Sequence, residues 1–448
     1  MRAIKKFKVN TKELTDKERE VLEKLITASE LMAPLYEEQK NPKYKGANFY
    51  PKDATKEEIK EAAEKNPLIL HPYTFVERDR RGRLVAIPFS VKFKRELKQI
   101  AKLLGEAAKI SEDRDFGQYL KDLARALLRN DYAQNEILWV TRGPFKFNFI
   151  IGPIERYLDR LFFKKCAFQA WVGILDKQRT DEAERFKRII LASRRKVLPD
   201  TMKVELPKRR IEINKTVCFS GLIADTMFTG TNLPNSVDLM EKYGSKLTIF
   251  ESPLELNFQR KGLPIFKSIF DKNIQEYFSE NELWLASLRC ILLHEISHSL
   301  IRYRDAEERL GELFPIFDEL LAYILGIRYC GLLLLKGALS QKELEAIITA
   351  FLWRNFSLFL ERNSGLMDYA VGGAIAQNFF FKNTTIKEKN GILYLNFTKL
   401  FIAIDHLSRI LEYYLSSGSY EEAKNFVREY GSFAIFERFS SKLKEISR

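Results

Sequence analysis

Two histidines four residues apart, with a glutamate beside the first, stand in the run "LLHEISHSL": His294, Glu295 and His298. On a helix, positions i and i+4 share a face, so both imidazoles aim at one point. This is the HExxH arrangement, in which two His hold zinc and the Glu activates a water. Zinc lowers the pKa of its water towards neutrality, and a neighbouring carboxylate takes the proton during attack on a carbonyl. The 448-residue chain has only four His, so two of them around a Glu at this spacing is a rare coincidence. The flanking run "LWLASLRCILLHEISHSLI" is apolar nearly all round, which predicts a buried helix. Two His and a Glu buried there without a partner would be costly. Zinc requires a third protein ligand, and no third His follows at short spacing. Glu319 is preferred, because "FPIFDELLAYILG" reads as an apolar helix opened by Pro315. Glu307, Glu308 and Glu312 are rivals in "RDAEERLGE", which reads as a solvated face or loop.

The elements that must position these residues show two textures. Residues 12–40, 55–65 and 91–130 have apolar residues recurring at three and four, which predicts helices. Thr15 and Glu18 form a capping box at the start of the first. Short runs rich in Val, Ile and Phe predict strands over 83–91, 145–152, 166–175, 215–223 and 246–252. A charged helix is expected over 177–200, ended by Pro199. After about residue 264 the strand signal fades. Helices are expected over 280–303, 315–337, 340–362, 366–382, 396–417 and 419–431.

Composition limits the function classes. The hydrophobic fraction is 46% and the charged fraction 30%, which excludes wholesale disorder. The net charge of +14 is spread over interleaved Lys and Glu, so it reads as a solvated surface rather than a nucleic-acid footprint. Salt-sensitive retention on DNA or RNA would be the sign of the opposite reading. Cys166, Cys218, Cys290 and Cys330 lie far apart, which offers neither a disulfide framework nor a Cys-based zinc site. The most apolar run, 320–336, carries Arg328 in its middle and is too interrupted to span a bilayer. The opening "MRAIKKFKVNTKEL" has no apolar stretch, so a cytoplasmic location is expected.

Beyond the His motif, several segments have a familiar order. They are "IGPIERYLDRLFFKKCAFQAWVGILD" (151–176), "GTNLPNSVDLMEKYGSKLTIFES" (230–252) and "SGSYEEAKNFVREYG" (417–431), with "FYPKD" and "DRRGRLVAIPFS" in the first hundred residues. Together with the HExxH-type helix and the later acidic helix, they resemble the dipeptidyl peptidase III family of zinc exopeptidases. The resemblance implies one Zn2+ per chain, with His294, His298 and Glu319 as ligands and Glu295 as the catalytic Glu. It implies that Tyr157 steadies the oxyanion, and that Glu155, Asn232 and Asn235 hold the substrate's free N-terminal amine. An ammonium does want a carboxylate and carbonyl acceptors. Read without the family, Glu155 would be a surface charge, Tyr157 a strand aromatic and "NLPN" a turn. The implied fold class is α+β: two lobes with a wide cleft, one containing a small β-barrel plus helices, the other mostly α-helical and carrying the zinc site. Laid on the strand and helix pattern, this gives one lobe at 1–175 and 214–262 and the catalytic lobe at 176–213 and 263–448. Family members close their cleft on an extended peptide that adds to a strand edge.

Three departures stand out. The chain has the five-residue "HEISH" where most members have six residues. Tyr323 stands where the family has an acidic residue, and Ile375, before Gln377, stands where it has a His. The expected activity is release of dipeptides from the N-terminus of short peptides, with no nucleic-acid or membrane partner. The alternative is a zinc-binding relative with little turnover that serves as a peptide-binding protein. His71 and His406 read as structural, and Cys290 as a packed thiol.

Overall fold

A computed structural model of the chain describes residues 3–197, 209–301, 303, 305–363 and 366–446. The chain divides into two compact units, one of Met1–Thr180 and Pro207–Pro253, the other of Asp181–Leu206 and Leu254–Arg448. The boundaries thus fall at 180, 206 and 253 rather than at the expected 175, 213 and 262. One reason is that the strand expected from 215 begins at Arg209 and pairs at once with the sheet of the first unit.

The first unit is a mixed structure around a six-stranded sheet. Its strands are β1 (Ile4–Lys6), β4 (Phe147–Glu155), β5 (Ala167–Leu175), β6 (Arg209–Gly221), β7 (Gly230–Leu233) and β8 (Ser245–Phe250); β2 (Thr74–Arg78) and β3 (Leu84–Pro88) form a separate hairpin. The sheet runs β4-β5-β6-β8-β7, with β1 on the edge of β6 beyond β8. All pairs are antiparallel except β6 with β8, where Arg209–Asn214 run alongside Ser245–Phe250. The small barrel expected from the sequence takes the form of a curled half-barrel. Trp171, Phe219 and Phe250 meet edge to face in its core, at centroid separations of 5.2 and 4.9 Å.

Helix α1 (Asp16–Glu30) packs against this sheet, α2 (Lys94–Ile110) packs on α1 and on α3 (Arg114–Arg129), and α4 (Ala133–Thr141) sets Trp139 edge to face with Trp171 of β5. The capping box at Thr15 and Glu18 forms as expected. Inside the sheet layer, Lys246 Nζ lies 2.8 Å from Glu212 Oε1. The other carboxylate oxygen of Glu212 accepts from Asn148 Nδ2 at 2.6 Å, and Asn148 Oδ1 accepts from Trp171 Nε1 at 2.6 Å. Two buried charges are therefore paired and hydrogen-bonded, which is the condition for keeping them out of water.

The second unit is helical. Helix α5 (Lys177–Val197) enters it; the expected stop at Pro199 lies outside the described residues. The unit's long helices are α6 (Glu280–His298), α7 (Phe314–Leu335), α8 (Gln341–Glu361), α9 (Met367–Lys382), α10 (Phe397–Ser416) and α11 (Tyr420–Tyr430). Arg328, which interrupts the apolar run of α7, pairs with Asp405 of α10 at 2.8 Å, so the run is a core helix. No helix among the described residues is long and apolar enough to cross a membrane.

Two local expectations are corrected. The helix expected over 280–303 stops at His298, because Ser299, Leu300 and Ile301 turn their N–H groups back onto the carbonyls of Ile296 and Ser297. A hairpin, β9 (Ile386–Lys389) with β10 (Ile392–Leu395), sits where no strand was expected. Its turn is Asn390-Gly391, both at positive φ, the pair that a two-residue hairpin turn favours.

Candidate metal centre

α6 is suited to carry fixed ligands. Ser279 and Glu282 form a capping box at its start. Arg289 pins its middle, with Nη2 2.6 Å from Glu182 on α5 and Nη1 2.7 Å from Glu343 on α8. The packing on α7 is close: a methyl carbon placed on Gly326 would lie 3.0 Å from the carbonyl carbon of Leu293 and 3.1 Å from the backbone N of His294. A larger residue there would need the two helices to give way.

The close packing brings three donors together. His294 Nε2 and His298 Nε2 are 3.1 Å apart, and Glu319 Oε2 lies 3.2 Å from His298 Nε2 and 3.4 Å from His294 Nε2. Zinc bound tetrahedrally at about 2.0–2.1 Å has ligand atoms about 3.3 Å apart. The triangle therefore fits the ion in both donor chemistry and size. Of the rivals for third ligand, Glu307 and Glu308 are exposed and Glu312 accepts from Tyr420 at 2.6 Å. None of these joins the donor cluster, nor does Cys290, whose buried thiol is pushed up to about 12.

Each ligand has its own support. His298 Nδ1 lies 3.4 Å from Asp318 Oδ2. Glu319 Oε1 accepts from Tyr369 on α9 at 2.8 Å, which leaves Oε2 for the cluster. The His294 ring lies against Tyr323, with centroids 3.8 Å apart and planes 21° from parallel. Arg354 Cζ on α8 lies 4.0 Å from the Tyr323 centroid. Burial first, then the neighbouring His298 and Arg354, hold His294 neutral, well below the ordinary His range. Burial opposes a proton on His298, but the Asp318 and Glu319 carboxylates outweigh it and push the pKa up to about 10. Glu295, next to His294 on α6, is half-buried, and its charge reaches both His298 and Tyr369.

The sequence reading did not single out Tyr369 or Arg354. Tyr369, in "LMDYAVGG", carried no signal. Arg354, in "ITAFLWRNFSLF", did carry one, as a lone cation in an apolar helix. Ile375, where the family resemblance placed a missing His, is fully buried in α9.

In the first unit, Glu155 ends β4 and is only 4% exposed. Asn235 Nδ2 donates to Glu155 Oε2 at 3.1 Å and to the Ile154 carbonyl at 3.3 Å. Burial raises the Glu155 pKa, against hydrogen bonds from Asn235 and Thr231 that favour the carboxylate. Asn232 lies on β7, and its buried side-chain oxygen has no hydrogen-bond partner among the described residues. Glu155 and Asn235 thus meet, and Asn232 supplies an open acceptor. Tyr157 is 62% exposed and touches Phe228 edge to face. His71 accepts from the Tyr73 N–H at 3.3 Å, and His406 packs on Phe379, so both serve the fold.

No family model matches the chain. Over 344 residues, 74% of its length, it is 22% identical to Nudix hydrolase 3 of Arabidopsis thaliana. It spans 43% of that curated relative's length. Among solved structures, dipeptidyl peptidase III from Caldithrix abyssi superposes with a TM-score of 0.88 at 22% identity, covering 98% of this chain and 95% of that one. The dipeptidyl peptidase III from Corallococcus sp. strain EGB does so with a TM-score of 0.76 at 23% identity, covering 99% and 93%. Both matches run over nearly whole chains, so this chain has the fold of dipeptidyl peptidase III.

Proposed function

We propose that this protein is a zinc-dependent peptidase that releases dipeptides from the N-terminus of short peptides. The observation that carries the reading is the His294, His298 and Glu319 triangle, with edges of 3.1, 3.2 and 3.4 Å, beside Glu295. Its setting in a dipeptidyl peptidase III fold supports the same reading.

When bound, zinc supplies Lewis-acid chemistry: it polarises the carbonyl and makes water acidic enough to be deprotonated near neutral pH. The rest falls to the chain's own residues. His294, His298 and Glu319 hold the ion. Glu295 takes a proton from the attacking water at a carboxylate oxygen and delivers it to the leaving nitrogen. Tyr157 donates its hydroxyl proton in a hydrogen bond to the carbonyl oxygen as negative charge develops there. Glu155, Asn232 and Asn235 bind the peptide's free ammonium through a carboxylate and side-chain carbonyls.

The test is mass spectrometry of products after the zinc-loaded protein is incubated with peptides of about four to eight residues. Stepwise loss of N-terminal dipeptides, blocked by acetylating the amine, is expected. Single-residue loss or internal cuts would keep a zinc hydrolase and discard the amine site. Tight peptide binding without cleavage would favour a peptide-binding protein, a reading that the buried Ile375 in α9 motivates. Glu295→Gln is expected to abolish turnover while zinc stays bound; retained turnover would refute the proton-transfer role.

A further inference from the structure

A metal-bound imidazole is ordinarily oriented by a hydrogen bond from its second ring nitrogen. His298 has a carboxylate there, with Asp318 Oδ2 3.4 Å from its Nδ1. His294 does not: its Nδ1 is buried and has no hydrogen-bond partner among the described residues. Something else must fix the ring, since a buried helix position alone leaves χ2 broad.

Tyr323 lies where it can do this. It follows Glu319 by one turn on α7 and covers a face of the His294 ring at 3.8 Å. Arg354 sits 4.0 Å from the Tyr323 centroid, and at these separations the guanidinium and the imidazole must take opposite faces of the phenol ring. Arg354 also lies 5.8 Å from the ring of Tyr369, the tyrosine that holds Glu319. Among the described residues it has no carboxylate within salt-bridge distance, and it lies over both rings as a cation–π partner. A close-packed sandwich restricts ring rotation much as a hydrogen bond does, because a turned imidazole would run into the phenol.

We propose that Tyr323, clamped beneath Arg354, is a positioning residue for His294, taking the place of the absent hydrogen bond at Nδ1. This rests on the zinc reading of the site. It makes the aromatic face, rather than the tyrosine hydroxyl, the group that matters. It also makes Arg354 a brace shared by the supports of two ligands.

The experiment measures zinc affinity by chelator competition for the parent, Tyr323→Phe, Tyr323→Leu and Arg354→Met, with the visible spectrum of each cobalt-loaded protein. Parent protein that binds no zinc would end the zinc reading itself. If the parent binds, Tyr323→Phe is expected within about twofold of it, with an unchanged cobalt spectrum. Tyr323→Leu is expected to bind about tenfold more weakly, with shifted cobalt bands. Equal affinity and spectra for Leu and the parent would overturn the proposal, as would Phe weakened as much as Leu. Arg354→Met is expected to weaken binding about threefold or more, although it removes a like charge from the metal. Tighter binding would show that Arg354 acts only as a repelling charge and would overturn its bracing role. Should the Leu variant fail to fold, a Phe variant weakened about tenfold or more would still overturn the proposal, and the Met variant still decides the bracing role.

Discussion

Replacing Gly326 with Ala tests how the donor triangle is built. The added methyl carbon would lie 3.0 Å from the Leu293 carbonyl carbon, 3.1 Å from the His294 N and 3.2 Å from Leu293 Cβ. Two of these atoms are backbone, so no change of rotamer relieves them. Carbon atoms settle at about 3.5–4.0 Å, so α6 and α7 must part locally by roughly half an ångström. Two effects then compete in the metal-free protein. Alanine favours a helix over glycine by about 1 kcal/mol, while overpacking costs about 1–3 kcal/mol. The net change is a loss of about 0–2 kcal/mol in unfolding free energy, read by urea titration in the presence of a chelator. Zinc binding has no compensating gain. The contact falls on His294 itself, and on α7 two turns after Glu319. Ligand distances tolerate only about ±0.2 Å, so zinc affinity should fall about tenfold or more, or about 1.4 kcal/mol. Chelator competition measures this directly. A variant that binds zinc like the parent would refute the claim that this approach sets the triangle. If it were also more stable by about 1 kcal/mol, helix propensity alone would be acting.

Other outcomes follow from single contacts. Tyr369→Phe removes the 2.8 Å hydrogen bond to Glu319 Oε1. Zinc affinity should drop several-fold, for about 1 kcal/mol, and unchanged affinity would show that Glu319 is held by packing alone. Chelation should lower the melting temperature without unfolding the protein, since zinc at about 100 times its Kd adds about 2.7 kcal/mol; loss of the far-ultraviolet helix signal on chelation would contradict this. In the first unit, burial chiefly raises the Glu136 pKa to about 7, against the opposing charge of Arg156. The folded state therefore keeps this proton after the unfolded chain has released it near pH 4.5. Stability should fall as pH rises from about 4.5 to 7, by at most about 3 kcal/mol and less where water reaches the carboxyl. Glu136→Gln should be more stable than the parent above pH 7 and equal to it near pH 4. A constant difference across that range in pH-dependent urea titrations would rule out the titration.

The chemistry was easier to read from the sequence than its supports. His294, Glu295 and His298 stood out because polar groups inside an apolar helix demand a partner, and Glu319 followed from the need for a third donor. Long helices were legible from apolar period, although the end of α6 was not, because "SHSLI" continues the apolar pattern past the turn at Ser299. Strand β7 was missed, since "GTNL" is short and polar and gains its place only by pairing with β8. The β9–β10 hairpin was missed despite its Asn-Gly signal, because charged "IKEK" alternates too weakly to read as a strand. The stack of Tyr323 on His294 was beyond sequence reasoning. Spacing puts the tyrosine one turn from Glu319, but only the approach of α6 and α7 at Gly326 decides what its ring meets.

The way the ligands are held separates this centre from a metal-dependent fold. In small zinc domains the ion organises the chain, and removing it unfolds the domain. Here each donor is fixed by a different neighbour: His298 by Asp318, Glu319 by Tyr369, and His294 by the packed face of Tyr323. α6 is itself tied by Arg289 to helices on either side. These restraints come from α5, α7, α8 and α9, and α7, α8 and α9 pack on one another through buried apolar residues. On the zinc reading, donors held this way leave little conformational entropy to be lost on binding. Converging two imidazoles and a carboxylate has a cost, part of it offset by the Asp318 and Glu319 carboxylates beside His298. A chain of this length has core enough to tolerate that cost. On the zinc reading, the fold holds the site, so affinity is expected to depend on these neighbours as much as on the donors themselves.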